Sequence, residues 1–291
     1  MDSFLSLKPK MEIILNIEAD HLDYFKDIDH IVSSFDRFAH LVPEAGTIIA
    51  YDANPFVNRV IQGLDNVVTF GLNENCDYCA KNILFDENGM PSFDVFHKGE
   101  KLNRVQLRIP GEHNILNALA AYACGHTLGV DSEIIKETLE SYHGTQRRFD
   151  IVGTTSKGVK IVDDYAHHPT EIKATLDASQ NVPHNKLWCL FQPHTYTRTM
   201  ALFDDFAEAF NKADKLILAE IYAAREKNIY KISSAQLAER IQQTHPNKEV
   251  LFMESFDAIA DYVDRNAQPG DMVITMGAGD IYKVGEMLLE K

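Results

Sequence analysis

The chain has 291 residues, 45% of them hydrophobic and 24% charged, with a formal charge of −15 at pH 7. That length suits two domains of ordinary size, and the acidic balance argues against general binding to nucleic acid or anionic membranes, which select basic surfaces. No apolar run approaches the ~18 residues that span a bilayer, the N-terminal residues lack a basic stretch followed by an apolar one, and four cysteines do not make a disulfide framework; the reading is a cytoplasmic chain.

In chain order, Met11–Ile17 is an apolar run that ends in Asn-Ile-Glu-Ala-Asp-His. Residues 29–41 place Ile31, Val32, Phe35, Phe38 and Ala39 at helical spacing. Residues 47–51 and 67–70 read as strands. Residues 79–109 hold short alternating stretches with Glu-Asn-Gly at 87–89 as a turn, which predicts a small antiparallel patch. Helices follow over 113–128 and 132–142, then the segment Gly144–Asp150.

The second half alternates regularly. Strands at 159–163, 187–191, 215–220, 249–252 and 272–276 are each followed by a helical pattern, at 170–178, 201–210, 233–242, 256–266 and 281–289. Five βα units predict a mostly parallel, doubly wound sheet. The change of pattern predicts a domain boundary near residue 150.

Ligands of such sheets bind where strands end, so the strand ends carry the candidates. Asp163-Asp164-Tyr165-Ala-His167-His168-Pro crowds two acids, a phenol and two imidazoles into one short loop. His194 and Arg198 occupy the next strand end, where an arginine holds a substrate carboxylate or pairs with neighbouring acids. Asp20, His21 and Asp23 follow the first strand and offer oxygen and nitrogen donors to a divalent cation; capping of a turn explains the same residues. His113, Asn114 and Asn117 open a helix, with the two amides on one face; they read a purine edge, or they cap and pack. Arg147-Arg148 suits a phosphate clamp, because guanidinium binds phosphate oxygens bidentately; solvated hinge arginines are the alternative. Cys76 and Cys79 lack a second ligand pair and read as small buried side chains in a strand-like stretch. Gly277-Ala-Gly-Asp280 lacks the third glycine and the later acid of a dinucleotide fingerprint, which leaves a tight strand-to-helix turn.

Taken in order, Asn16–His21, Gly111–Asn117, Gln146–Asp150, Asp163–Glu171, Phe191–Thr199 and Gly277–Ile281 resemble the strings of the Mur ligase family, over essentially the whole chain. The two long strings of the second half are the specific ones. They are most similar to the branch that joins L-alanine to UDP-N-acetylmuramate. The resemblance implies an ATP-dependent amide ligase of peptidoglycan synthesis that works through an acyl phosphate. It implies an α/β fold: a truncated Mur-type central ATPase domain over 1–149, then a doubly wound, mostly parallel C-terminal domain over 150–291. It also implies roles. His21 is a magnesium ligand; His113, Asn114 and Asn117 lie by the adenine of ATP; Arg148 reaches the phosphates. Asp164 and Tyr165 face nucleotide and substrate, while His167 and Arg198 hold the amino acid and the reacting carboxylate.

The departures from the family are specific. Gly-x-x-x-x-Gly-Lys-Ser/Thr, whose amides cradle phosphates, occurs nowhere in the 291 residues. Neither does the acidic strand end expected before Asp2-Ser-Phe-Leu. Thr195 stands where some members carry arginine. The expectation is a fragment, inactive alone, completed by an N-terminal segment or a second chain. Two other readings compete: a non-catalytic nucleotide- or substrate-binding module left from a degenerate ligase gene, and, more weakly, a metal hydrolase built on His21 and the His167-His168 pair.

Overall fold

The computed structural model describes residues 2–21 and 24–291. Two compact units emerge, Met1–Asp86 with Met90–His143, and Glu87–Gly89 with Gly144–Lys291. Each holds one six-stranded sheet. Among the described residues, no helix is long and apolar enough to cross a membrane.

In the first unit the strands β1 (Met11–Ile14), β2 (Thr47–Tyr51), β3 (Val67–Gly71), β4 (Tyr78–Phe85), β5 (Pro91–His97) and β6 (Glu100–Gln106) lie side by side in chain order. β1 to β4 run parallel, and β4, β5 and β6 are antiparallel neighbours. The antiparallel patch expected from the sequence is thus the continuation of the parallel sheet. Helices α1 (Ile28–Ala39), α2 (Pro55–Ile61), α3 (Glu112–Thr127) and α4 (Ser132–Ser141) complete the unit. Successive residues of a strand face opposite sides. Accordingly Ile48 and Ala50 join a core with Ile31, Val32, Val57 and Val60 of α1 and α2, while Ile49 joins Leu119, Tyr122 and Ile135 of α3 and α4.

Helix α2 was not anticipated. Its signal is local: Asn54 accepts the N–H groups of Phe56 and Val57 at 3.0 Å each, and Pro55 fills the first turn. Cys76 sits in the turn before β4 rather than in a strand. Cys76 and Cys79 are buried thiols, and burial pushes both toward the protonated form. One polar group breaks the pattern of β1. Glu12 is 5% exposed, and neither carboxylate oxygen has a hydrogen-bond partner.

The second unit contains β7 (Asp150–Thr154), β8 (Lys160–Asp164), α5 (Pro169–Ser179), β9 (Leu187–Phe191), α6 (Tyr196–Ala201), α7 (Phe203–Ala207), β10 (Lys215–Leu218), α8 (Ser234–Thr244), β11 (Glu249–Phe252), α9 (Phe256–Asn266), β12 (Met272–Met276) and α10 (Tyr282–Leu289). The sheet order is β11-β10-β9-β12-β8-β7, with β7 antiparallel to β8 and the rest parallel. Alternation on β9 separates two cores. Cys189 and Phe191 meet Ile172, Phe206 and Leu237, whereas Trp188 and Leu190 meet Ile259, Val263 and Val284. Burying each of these large side chains contributes about 1.5–3 kcal/mol. The helix expected over 201–210 is instead two short helices broken at Leu202, the first beginning at Tyr196. β7 escaped the sequence because Ile151 and Val152 are exposed. The order of strands reverses around β12, and the carboxyl ends of β8, β12 and β9 meet at that switch point, where ligands of such sheets bind.

Candidate functional site

These strand ends collect most of the second-half candidates. β8 ends in Asp163 and Asp164, both buried. Asp163 receives Nε of Arg147 at 2.9 Å and the hydroxyl of Thr275 at 2.7 Å. Asp164 accepts the N–H groups of Phe149 at 2.8 Å and Ala166 at 2.7 Å. Burial raises its carboxyl above the ordinary range against these contacts. Expected to face nucleotide and substrate, Asp164 instead turns both oxygens toward amides of its own unit.

The arginine pair does not form a two-pronged clamp. Arg147, at φ 61°, lies between the rings of Tyr165 and Tyr282, 4.9 Å from each centroid, and also donates to the carbonyl of Gly277 at 2.7 Å. Arg148 is half exposed and meets Glu171 Oε1 at 3.4 Å. Of the two, Arg148 is the one able to meet a phosphate.

Past β8 the two histidines diverge. His168 is the N-cap of α5, its Nδ1 accepting the N–H of Thr170 at 3.3 Å. His167 packs edge-on against Tyr165 at 5.4 Å and against His194 at 5.9 Å. His194 stacks on Tyr222 at 5.6 Å, and Arg198 Nη1 donates to its Nδ1 at 3.2 Å. Burial first, then Arg198 and His167, hold the His194 imidazole below its ordinary value, which keeps it a neutral acceptor at pH 7. Tyr165, His167, His194, Arg198 and Tyr222 therefore form one cluster drawn from three strand ends.

The backbone beneath this cluster is tightly built. Thr195, at φ 65°, caps α6, and its carbonyl accepts the Thr199 hydroxyl at 2.7 Å. Gln192 accepts the N–H of Asp280 at 2.8 Å and donates to the carbonyl of Glu220 at 3.2 Å. It thereby ties the Gly277–Asp280 turn to the ends of β9 and β10. A Cβ at Gly277, at φ 145°, would lie 2.6 Å from the carbonyl oxygen of Gln192, so the turn requires glycine. Sequence reasoning gave no role to Gln192 or Tyr222. Tyr222 had no signal, since it lies in an irregular loop beyond β10 and reaches the site through a bridge to His194.

The first unit holds the remaining candidates. His21, at φ 53°, follows β1 with its ring 3.7 Å from Asp20 and largely exposed. Asp23 lies outside the described residues. Among the described residues no three His, Cys, Asp or Glu side chains converge on a metal position. The donors present therefore make no closed cage, though an imidazole beside a carboxylate fits the protein side of a magnesium completed by phosphate and water. At the start of α3, Gly111 is the N-cap at φ 101°. Asn114 donates to the carbonyl of Pro110 at 2.8 Å and accepts from Asn117 at 3.3 Å, and His113 sits half-buried beside them. Asn117 is exposed.

Residues 2–125 match the Mur ligase middle domain, and residues 147–279 match the Mur ligase, glutamate ligase domain. A UDP-N-acetylmuramate–L-alanine ligase from Caldanaerobacter subterraneus subsp. tengcongensis is 50% identical over 291 residues, all of this chain and 63% of that protein. The ligase of the same description from Clostridium tetani is 48% identical over 290 residues, 99% of this chain and 63% of the other. Among solved structures, the UDP-N-acetylmuramate-alanine ligase of Thermotoga maritima superposes with a TM-score of 0.79 at 25% identity, over 99% of this chain and 61% of that one. A MurF ligase from Thermotoga maritima in complex with ADP shares the fold, with a TM-score of 0.77 at 21% identity, over 97% of this chain and 62% of the other. The chain thus spans under two thirds of the length of these relatives.

Proposed function

We propose, for a chain that belongs to the Mur ligase family, a part in the ATP-dependent joining of L-alanine to UDP-N-acetylmuramate, a cytoplasmic step of peptidoglycan precursor synthesis. The observation that carries this reading is the meeting of Arg198, His194, His167 and Tyr165 at the reversal in strand order. A guanidinium beside a neutral imidazole suits an amino acid, one group for the carboxylate and one for the amine.

In this reading a carboxylate of the nucleotide sugar takes the terminal phosphoryl group of ATP. The amine of alanine then attacks the acyl phosphate, and phosphate leaves. Arg198 pairs with the alanine carboxylate and aligns the amine. His194, held neutral, accepts from the amine side, and His167 walls the same recess. Arg148 meets phosphoryl oxygens as charge develops on them. Asp164 works indirectly, by holding the loop that carries Tyr165. His113, Asn114 and Asn117 receive adenine, the Asn117 carbonyl oxygen matching its exocyclic amino group. His21 and Asp20 are the protein donors for magnesium, which when bound neutralises phosphate charge.

The 291 residues alone, without a phosphate-cradling motif, are expected to release no phosphate from ATP above a blank. The decisive experiment joins to this chain the segment of the Caldanaerobacter relative that the match leaves out. Alanine-dependent phosphate release with UDP-N-acetylmuramate is the expected result. A folded chimera that binds ATP yet ignores alanine would overturn the reading. It would favour instead a binding module without catalysis; calorimetric binding of ATP or UDP-N-acetylmuramate by the chain itself is the mark of that alternative.

A further inference from the structure

Glu171 is the third residue of α5, and its carboxylate does more than start the helix. Oε2 accepts the N–H groups of His167 at 3.0 Å and His168 at 3.3 Å and lies 3.3 Å from Nδ1 of the His167 ring. Oε1 lies 3.4 Å from Nη1 of Arg148. The same Nδ1 is 3.0 Å from the carbonyl oxygen of Tyr165. Two acceptors converge on one ring nitrogen, so that nitrogen carries the proton and Nε2 keeps the lone pair when the ring is neutral. Burial pushes the Glu171 carboxyl up, but the His167 amide, the imidazole, Arg148 and the His168 amide together hold it below its ordinary value. It is an anion at neutral pH.

We propose that Glu171 is the positioning residue of this site, one carboxylate that sets the tautomer of His167 and fixes Arg148 beside it. Its two oxygens divide the task, Oε2 on the His167 side and Oε1 toward Arg148. The charged and titratable groups around the ring include Tyr165 on its own loop, Glu171 on α5, Arg148 before β7, and His194 with Arg198 beyond β9. Glu226 acts on His194 from the loop after β10. The inference rests on the proposed function only for what meets the ring.

The test needs no substrate, so a failed ligation and a failed titration are separate results. The full chain, labelled with 15N-histidine, is titrated by NMR from pH 5 to 9, and His167→Asn assigns the ring. In the unaltered chain Nδ1 is expected to be the protonated nitrogen of the neutral ring. Glu171→Gln keeps the capping-box residue type, since glutamine also serves there, but removes the charge. Loss of a nearby anion disfavours the imidazolium, so the His167 midpoint should fall by about one pH unit. Glu239→Gln, on the far helix α8, should leave it in place. An unchanged midpoint and tautomer in Glu171→Gln would overturn the proposal. Should that variant fail to fold by circular dichroism, Glu171→Asp keeps the charge but withdraws it by one methylene. A mixed tautomer is then expected, and an unmixed Nδ1–H ring would overturn the proposal.

Discussion

Adjacent arginines have opposite employment here. Arg147 is enclosed by Tyr165, Tyr282, Asp163 and the Gly277 carbonyl, while Arg148 stands half in solvent against Glu171. Arg147→Ala strands Asp163 in the core with one hydroxyl for company, and breaking a buried pair in this way costs about 3–5 kcal/mol. The expected outcome is a large drop in the urea midpoint of the second unit, followed through Trp188, which is buried there. Arg148→Ala should stay within about 0.5 kcal/mol of the unaltered chain, as exposed pairs do. Equal losses in both variants would refute this division. The sequence made the pair visible but not the division, because identical side chains part only through the turn at φ 61° on Arg147.

At the scale of elements, strands buried on both faces were easy to read: β9 and β12 are largely apolar runs bounded by turn residues, and β8 carries the buried pair Ile161-Val162 before its two acids. Elements with little apolar patterning of their own were not. β7 is an exposed edge, α2 is seven residues long with only Val57 and Val60 buried, and the break between α6 and α7 follows from packing of Leu202 and Phe206 into the core. β1 has a distinct liability. Burial raises the Glu12 carboxyl from 4.5 to about 7, with nothing to offset it. Its folded value exceeds the unfolded one, so its contribution is intact below about pH 4.5 and is lost as pH rises through about 7. The loss amounts to about 3 kcal/mol. Glu12→Leu should therefore stabilise the first unit at pH 8 and do much less at pH 5. Urea unfolding at both values checks this; equal gains would mean that the carboxyl is solvated.

Across the whole molecule, the proposed ligand contacts fall on different units. Arg198 belongs to the second and Asn117 to the first. In an active chimera, Arg198→Ala should cost about 1.5–3 kcal/mol of a charge-assisted contact, roughly ten- to a hundredfold in kcat/KM for alanine. Asn117→Ala should raise KM for ATP and spare alanine. Steady-state kinetics in each substrate decide; an Arg198 variant with normal alanine kinetics and a raised KM for ATP would move that arginine to the nucleotide. The site was legible as far as strand ends and motifs carry chemistry, which singled out Tyr165, His167 and Arg198. Tyr222 and Gln192 became visible only when the loop after β10 and the Gly277 turn closed over them.

The strand order carries a further consequence, for the timing of folding during synthesis. β12 is the last of the strands to leave the ribosome, yet it lies between β8 and β9, which have no ladder with each other. Until residues 272–276 emerge, the sheet has a gap at its middle rather than at its rim. The second unit must wait as a pair of unjoined halves, Arg147 lacking its Gly277 carbonyl and Trp188 its Asp271 carboxylate. A chain ending at Gln268 should accordingly lack the cooperative Trp188 transition altogether, whereas one ending at Leu289 should keep it. Nascent chains released at successive lengths and probed with protease would reveal a single late step in protection, after the central strand has cleared the tunnel.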